Sequence, residues 1–247
     1  MLAVKIYRRD LGGMASTVGA LMLPLAAALA ALGGGMGPTV MAVSLLSAAA
    51  SLLGILSAVE HVWEDREGWI APLIASLGRM RYATLRTAVS TAVAITAVTP
   101  ASAFYAAARP EAAYPAAAAA LLSAAAGAAL GVLIGILAPT RGHGYAWGVS
   151  AWTALALIYE VVLTFTSLYF PVTEAAIAAA LLANPLTVAR LSGVAQADPH
   201  LLTLGAIGDY LHKTLGPHSH LLFPSAAAFW ILALAATNVV ATSRRDL

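Results

Sequence analysis

Residues 11–59 read LGGMASTVGALMLPLAAALAALGGGMGPTVMAVSLLSAAASLLGILSAV, 49 residues without one Asp, Glu, Lys or Arg. About 20 apolar residues in a helix cross the hydrocarbon layer of a membrane, so this stretch holds two spans. Its middle, Gly33-Gly34-Gly35-Met36-Gly37-Pro38, has the composition of a tight hairpin between them. Working outward, the next uncharged run is residues 87–108, and another lies within 112–140 after Arg109-Pro110-Glu111 and Tyr114-Pro115. A fifth run, 144–169, contains a single acid, Glu160, and a sixth, 221–242, stops at Ser243-Arg244-Arg245. The runs are too long and too uniformly apolar for the alternating strands of a membrane barrel.

Composition agrees. The chain has 247 residues, 61% hydrophobic and only 10% charged, against about 25% charged in soluble domains. It could not cover a globular surface with polar groups, which argues against a soluble enzyme. The absence of cysteine excludes a disulfide scaffold and thiolate metal sites. A net charge of +2 gives no reason to expect nucleic acid as a partner. The expected fold is all-α: a polytopic membrane protein with six transmembrane helices at about 14–33, 39–59, 87–108, 116–138, 144–169 and 221–242. These form a single membrane domain, 1–247, with a cytoplasmic helix in the inner segment at 60–86 and a small helical extracytoplasmic loop domain at 171–220. Its stretch 173–191, interrupted by Asn184-Pro185, is expected as short helices lying at the outer surface.

Basic residues orient it. With the N-terminus in the cytoplasm, the inside holds Lys5, Arg8, Arg9, Arg66, Arg79, Arg81, Arg86, Arg141, Arg244 and Arg245, and the outside only Arg109, Arg190 and Lys213. Both termini are therefore expected in the cytoplasm, and the protein in the cytoplasmic membrane. Arg8-Arg9 before an apolar run resembles a signal peptide, but the run leads directly into a second span, so no cleavage is expected.

Motifs for chemistry are missing. There is no P-loop, no H-E-x-x-H, no carboxylate-rich D-D-x-x-D cluster and no G-x-S-x-G, which Gly148-Val149-Ser150 only approaches. The most informative feature is Glu64-Asp65-Arg66-Glu67-Gly68. Exposed ion pairs in such a cluster contribute under about 1 kcal/mol each. However, Trp63, Trp69, Ile70, Leu73, Ile74 and Leu77 around it make an amphipathic pattern with acids leading, suited to dock into a groove on a soluble partner.

These residues resemble the E-R-E-x-G-T and S-x-P-x-x-R signature of type-2 ABC exporter permeases. Asp65-Arg66-Glu67-Gly68 matches the acidic-arginine-acidic-glycine core, and Ser76 and Arg79 match the later serine and arginine. Trp69 stands where the family has threonine, and Gly78 where it has proline. Residues 5–11 look like the family's N-terminal amphipathic elbow, with Arg9-Asp10-Leu11 at its lysine-glutamate-leucine position. Trp152 to Tyr159-Glu160 is similar to the W-x-x-x-x-x-x-Y-D of the NosY family, permease subunits of the nitrous oxide reductase maturation transporter. Asn184-Pro185 followed by Arg190-Leu191 is similar to that family's N-P-x-x-x-x-R-L, and Leu204-Gly205, Tyr210-Leu211 and Leu215-Gly216 also fit.

The resemblance implies a homodimer with two NosF-like ABC ATPase subunits. The ATPases would bind ATP and magnesium; this chain would hold no cofactor. It further implies coupling to the ATPase through Glu64, Asp65, Arg66, Glu67, Gly68 and Arg79, and contact of Asn184, Pro185 and Arg190 with an extracytoplasmic NosD-like partner. The implied cargo is a sulfur species for copper-site assembly. Alternatives are an ABC permease for lipid, drug or haem, and a membrane enzyme or assembly scaffold without an ATPase.

Three further groups stand out. Glu160 within a span, beside Tyr159, would line a cargo path or a dimer contact. Gly127, Gly131 and Gly135 strip one helix face for close packing, more readily within one subunit than between two. His200, His212, His218 and His220 share the outer segment; surface histidines are common, so His212, His218 and His220 are weak metal candidates and no metal site is assigned.

Overall fold

The computed structural model describes residues 2–215 and 218–244. Among them every regular element is helical: α1 Leu2–Ala30, α2 Met36–Glu64, α3 Ile70–Leu77, α4 Arg79–Ala108, α5 Ala113–Leu137, α6 Arg141–Trp152, α7 Tyr159–Tyr169, α8 Glu174–Ala183, α9 Pro185–Ala197, α10 Ala206–Leu215 and α11 Ser219–Arg244. Two π-helical segments join neighbours, Asp65–Trp69 between α2 and α3 and Thr153–Ile158 between α6 and α7. Five helical columns are long and apolar enough to cross a membrane, and six if the bent α8–α9 pair counts as one. The expected first span, 14–33, includes side chains at 14–19 that lie outside the described residues; α1 supplies the apolar stretch Ala20–Ala30.

The hairpin at 33–38 forms because its glycines can take conformations closed to other residues. Gly33 and Gly35 have φ of +93° and +108°, which lets α1 stop and α2 start within a few residues. Gly78, at φ +79°, makes the equivalent break between α3 and α4. Pro72 falls in the first turn of α3, where a missing N–H costs nothing.

α5 is the axis of the bundle. In its most apolar stretch 72% of residues are buried, against 6% for the α6–α7 column. α2 lies along α5 so closely that a Cβ on Gly127 would strike the Ser51 carbonyl, one on Gly131 the Ile55 carbonyl, and one on Gly135 the Val62 side chain at 2.9 Å. From the other side, a Cβ on Gly54 would come within 2.5 Å of the Ala124 carbonyl. The glycine stripe thus serves contact within one chain. Hydroxyl and amide groups supplement the fit: Ser47 and Ser123 share a 2.6 Å hydrogen bond, and Asn238 of α11 donates to Thr87 Oγ1 and the Ala129 carbonyl. In an apolar surrounding such bonds matter because the groups have no water to turn to.

Residues 174–197 depart from expectation. Short helices at the surface were expected there; instead, α8 and α9 meet at 108° and α9 inserts among α2, α5 and α11. Leu186, Val188, Ala189, Leu191 and Val194 are buried. Gly193 allows the insertion, since a Cβ there would meet the Pro115 carbonyl and Ala119. The Asn-Pro break explains the bend: Asn184 caps α9, its Oδ1 accepting from Leu186 and Thr187 N–H, and Pro185 occupies the first helical position.

Gly127→Val should lower the thermal unfolding temperature of the detergent-solubilised chain markedly, because the clash is with backbone. Gly37→Ala, where nothing lies within 4 Å, should leave it unchanged. Equal melting temperatures for the two variants would contradict the α2–α5 packing.

Candidate functional site

Two charged constellations sit in this apolar bundle. The first lies where α1 begins, α2 ends and α4 begins, three points that the up-and-down topology brings to one end. Its centre is Arg86, whose side chain is 1% exposed. Arg86 Nη1 donates to Asp10 Oδ2 at 2.5 Å, and Nη2 lies 2.7 Å from Asp65 Oδ2 and donates to the His61 carbonyl. Arg9 donates to both acids, to Asp10 Oδ1 at 2.8 Å and Asp65 Oδ1 at 2.9 Å, and Tyr82 donates its hydroxyl to Asp65 Oδ2. Two arginines against two carboxylates leave the cluster neutral, the condition under which charge tolerates burial. Burial alone would lower the Arg9 pKa, but its hydrogen bonds to Asp65 and Asp10 outweigh that and hold it above its ordinary value.

Around this core stands a more open ring. Arg66 lies over the Trp63 ring and donates to the Gly135 and Ala138 carbonyls, satisfying the end of α5. Arg141 pairs with Glu60, which also accepts from the Tyr145 hydroxyl, and lies 3.5 Å from Glu67. Glu64 and Glu67 remain largely accessible, their side chains 42% and 55% exposed, and Gly68 and Arg79 are exposed.

Sequence reasoning grouped Asp65 with Glu64, Arg66, Glu67, Gly68 and Arg79 as a partner-facing set. The structure removes Asp65 from that surface: its side chain is 1% exposed and bonded to α1 and α4. Asp10 is likewise buried, and Arg9-Asp10-Leu11 lies within a helix that runs from Leu2 to Ala30. Arg86 was read only as a basic residue that orients the chain. The signal for its role was present, since Asp10 and Arg86 each stand immediately before a long uncharged run, at the same end of the bundle and with opposite charge.

The second constellation joins α7 to α9. Arg190 Nε and Nη2 both donate to Glu160 Oε1, at 3.1 and 2.8 Å, and Thr187 donates to the same oxygen at 3.2 Å. Arg190 Nη1 reaches Ser44 on α2. Glu160 therefore finds a full cationic partner within the chain, while the neighbouring Tyr159 donates to the Ala180 carbonyl on α8. Asn184 donates to the Leu155 carbonyl inside the π-helical segment, where the α-helical bonding pattern is interrupted. Asn184 and Pro185 are buried within the chain, and Arg190, its side chain 22% exposed, is paired with Glu160.

His200 and His212 have ring centroids 5.1 Å apart, but no group of three or more His, Cys, Asp or Glu among the described residues could hold a metal. His218 and His220 add no further ligand to that pair.

No protein-family model matches the chain, and no curated protein matches it. The class the structure itself defines is a helical, multi-pass membrane protein.

Arg86→Met should destabilise the chain by about 3–5 kcal/mol, because it leaves two buried carboxylates with only Arg9 to neutralise them. Thermal unfolding in detergent would register it, and a shift equivalent to less than about 0.5 kcal/mol would show that the cluster is not the fastening proposed for it.

Proposed function

We propose that the chain is the membrane-spanning permease subunit of an ABC transporter, of the NosY kind, paired with a second copy of itself and with two ATPase subunits. The observation that carries the reading is the two-sided character of residues 64–68. Glu64, Glu67 and Gly68 face outward, while Asp65 between them is tied to α1 through Arg9 and to α4 through Arg86. A partner that moved the exposed residues would move the starts of both helices with them. A subunit without a P-loop needs such an arrangement, because work from ATP must enter through a contact. ATP and magnesium would be bound by the ATPase.

The α6–α7 column supports pairing. Val161, Val162, Phe165 and Leu168 are exposed, and α7 buries none of its residues within the chain. In this reading a second copy covers part of that column. The cargo would be a sulfur species destined for copper-site assembly. Any NosD-like partner would meet the opposite end of the bundle through α8, α10 and their connections rather than through α9.

Glu67→Lys tests the coupling surface. The residue is exposed and stands outside the buried cluster, so the chain should fold and reach the membrane normally. Binding to the ATPase, measured by co-purification at graded salt, should weaken, since reversing a rim charge acts mainly on association. Unchanged ATPase binding and unchanged transport would contradict the assignment.

A further inference from the structure

Between α7, α8 and the chain after α9 lies a cavity of about 370 Å³, within the 300–1,000 Å³ typical of small-molecule sites. One wall is a single face of α7 carrying Glu160, Thr164 and Ser167; Arg190 stands beside Glu160, and Thr203 faces them from the loop. The remaining walls are apolar, with Leu163, Ile177, Leu181 and Ile207.

The hydrogen-bonding capacity of that wall is one-sided. Thr164 donates its hydroxyl proton to the Glu160 carbonyl, and Ser167 donates its own to the Thr164 carbonyl. Both hydroxyls are left to the cavity as acceptors. Glu160 Oε1 already takes three hydrogen bonds, whereas Oε2 has no partner among the described residues. Arg190 commits its Nε, Nη1 and Nη2 once each, so two of its five N–H groups stay available. An occupant must therefore donate to α7 while it can accept from Arg190, as a hydroxyl does. Charge decides the rest. Arg190 neutralises Glu160, so a charged occupant would enter a site with no counter-charge, at a cost of several kcal/mol.

We infer that this cavity is a binding site for a small uncharged molecule that carries a hydroxyl-type group on an apolar body. The inference is independent of the transport reading and of its sulfur cargo; the binding chemistry stands without an ATPase.

The cysteine-free sequence allows a direct test with the full chain in nanodiscs. Thr164→Cys is reacted with three methanethiosulfonates of similar size, bearing a hydroxyl, a trimethylammonium or a sulfonate, each rate normalised to that of a small thiol in water. The hydroxyl reagent should react at least about ten-fold faster than either charged one, a ratio worth about 1.4 kcal/mol. Hexanol should slow that reaction, while hexylammonium and hexanoate should not. Arg190→Gln in the same background should unmask Glu160 and accelerate the cationic reagent about ten-fold, and Arg190→Lys should preserve the preference for the uncharged one. Equal normalised rates for all three reagents would overturn the inference, as would reaction with none of them. No arm uses the ATPase, so failure here is distinguishable from failure of the permease assignment.

Discussion

Everything at the charged end of the bundle depends on one guanidinium. Arg86 enters a region where an isolated charge would cost several kcal/mol, and it is tolerated because Asp10 and Asp65 arrive from two other helices at 2.5 and 2.7 Å. The constraint works both ways, since neither carboxylate could be buried without it. Arg9 completes the neutralisation, and Tyr82 and the His61 carbonyl add further hydrogen bonds, while the buried Arg86 Nε has no partner among the described residues. Helix packing in lipid gains nothing from hydrophobic exclusion, so a directional, neutral ion cluster is an effective way to fix three helices at one point.

The far side of the molecule applies the same rule more loosely. Glu160 and Arg190 are mutually neutral too, but their side chains are 31% and 22% exposed and border a cavity. The pair ties a peripheral column to a helix deep in the bundle. α7 makes few other contacts with the rest of the chain, whereas α9 is packed on three sides. Loss of this one pair would therefore release α7 far more than α9. The contrast between the two clusters separates a fastening from a site: one is sealed, and the other borders a cavity with a carboxylate oxygen that has no partner among the described residues.

The all-helical character, with helices long and apolar enough to cross a membrane, was legible in the long uncharged runs, and the glycines at 127, 131 and 135 signalled a close helix contact whose partner is α2. What was not legible was depth. Residues 174–197 are apolar but interrupted at Asn184-Pro185, and a pattern too short to span twice was read as surface. Its burial depends on Gly193 fitting over Pro115 and Ala119, a long-range coincidence that no local periodicity records. Asp65 misled for a related reason. Five consecutive polar or small residues look uniformly exposed, but the π-helical segment after α2 turns one of them inward to meet Arg86. Charge identifies the residues that matter, while the partner each one finds is decided by topology.

On the permease proposal, this chain would receive work from an ATPase through an exposed segment fastened to the buried cluster. Native mass spectrometry of the chain, co-expressed with a NosF-like ABC ATPase and released from nanodiscs, is the sharpest test. The account predicts a complex of two chains with two ATPase subunits. The chain emerging without any ATPase, under conditions where it is folded and the ATPase is present in excess, would contradict it.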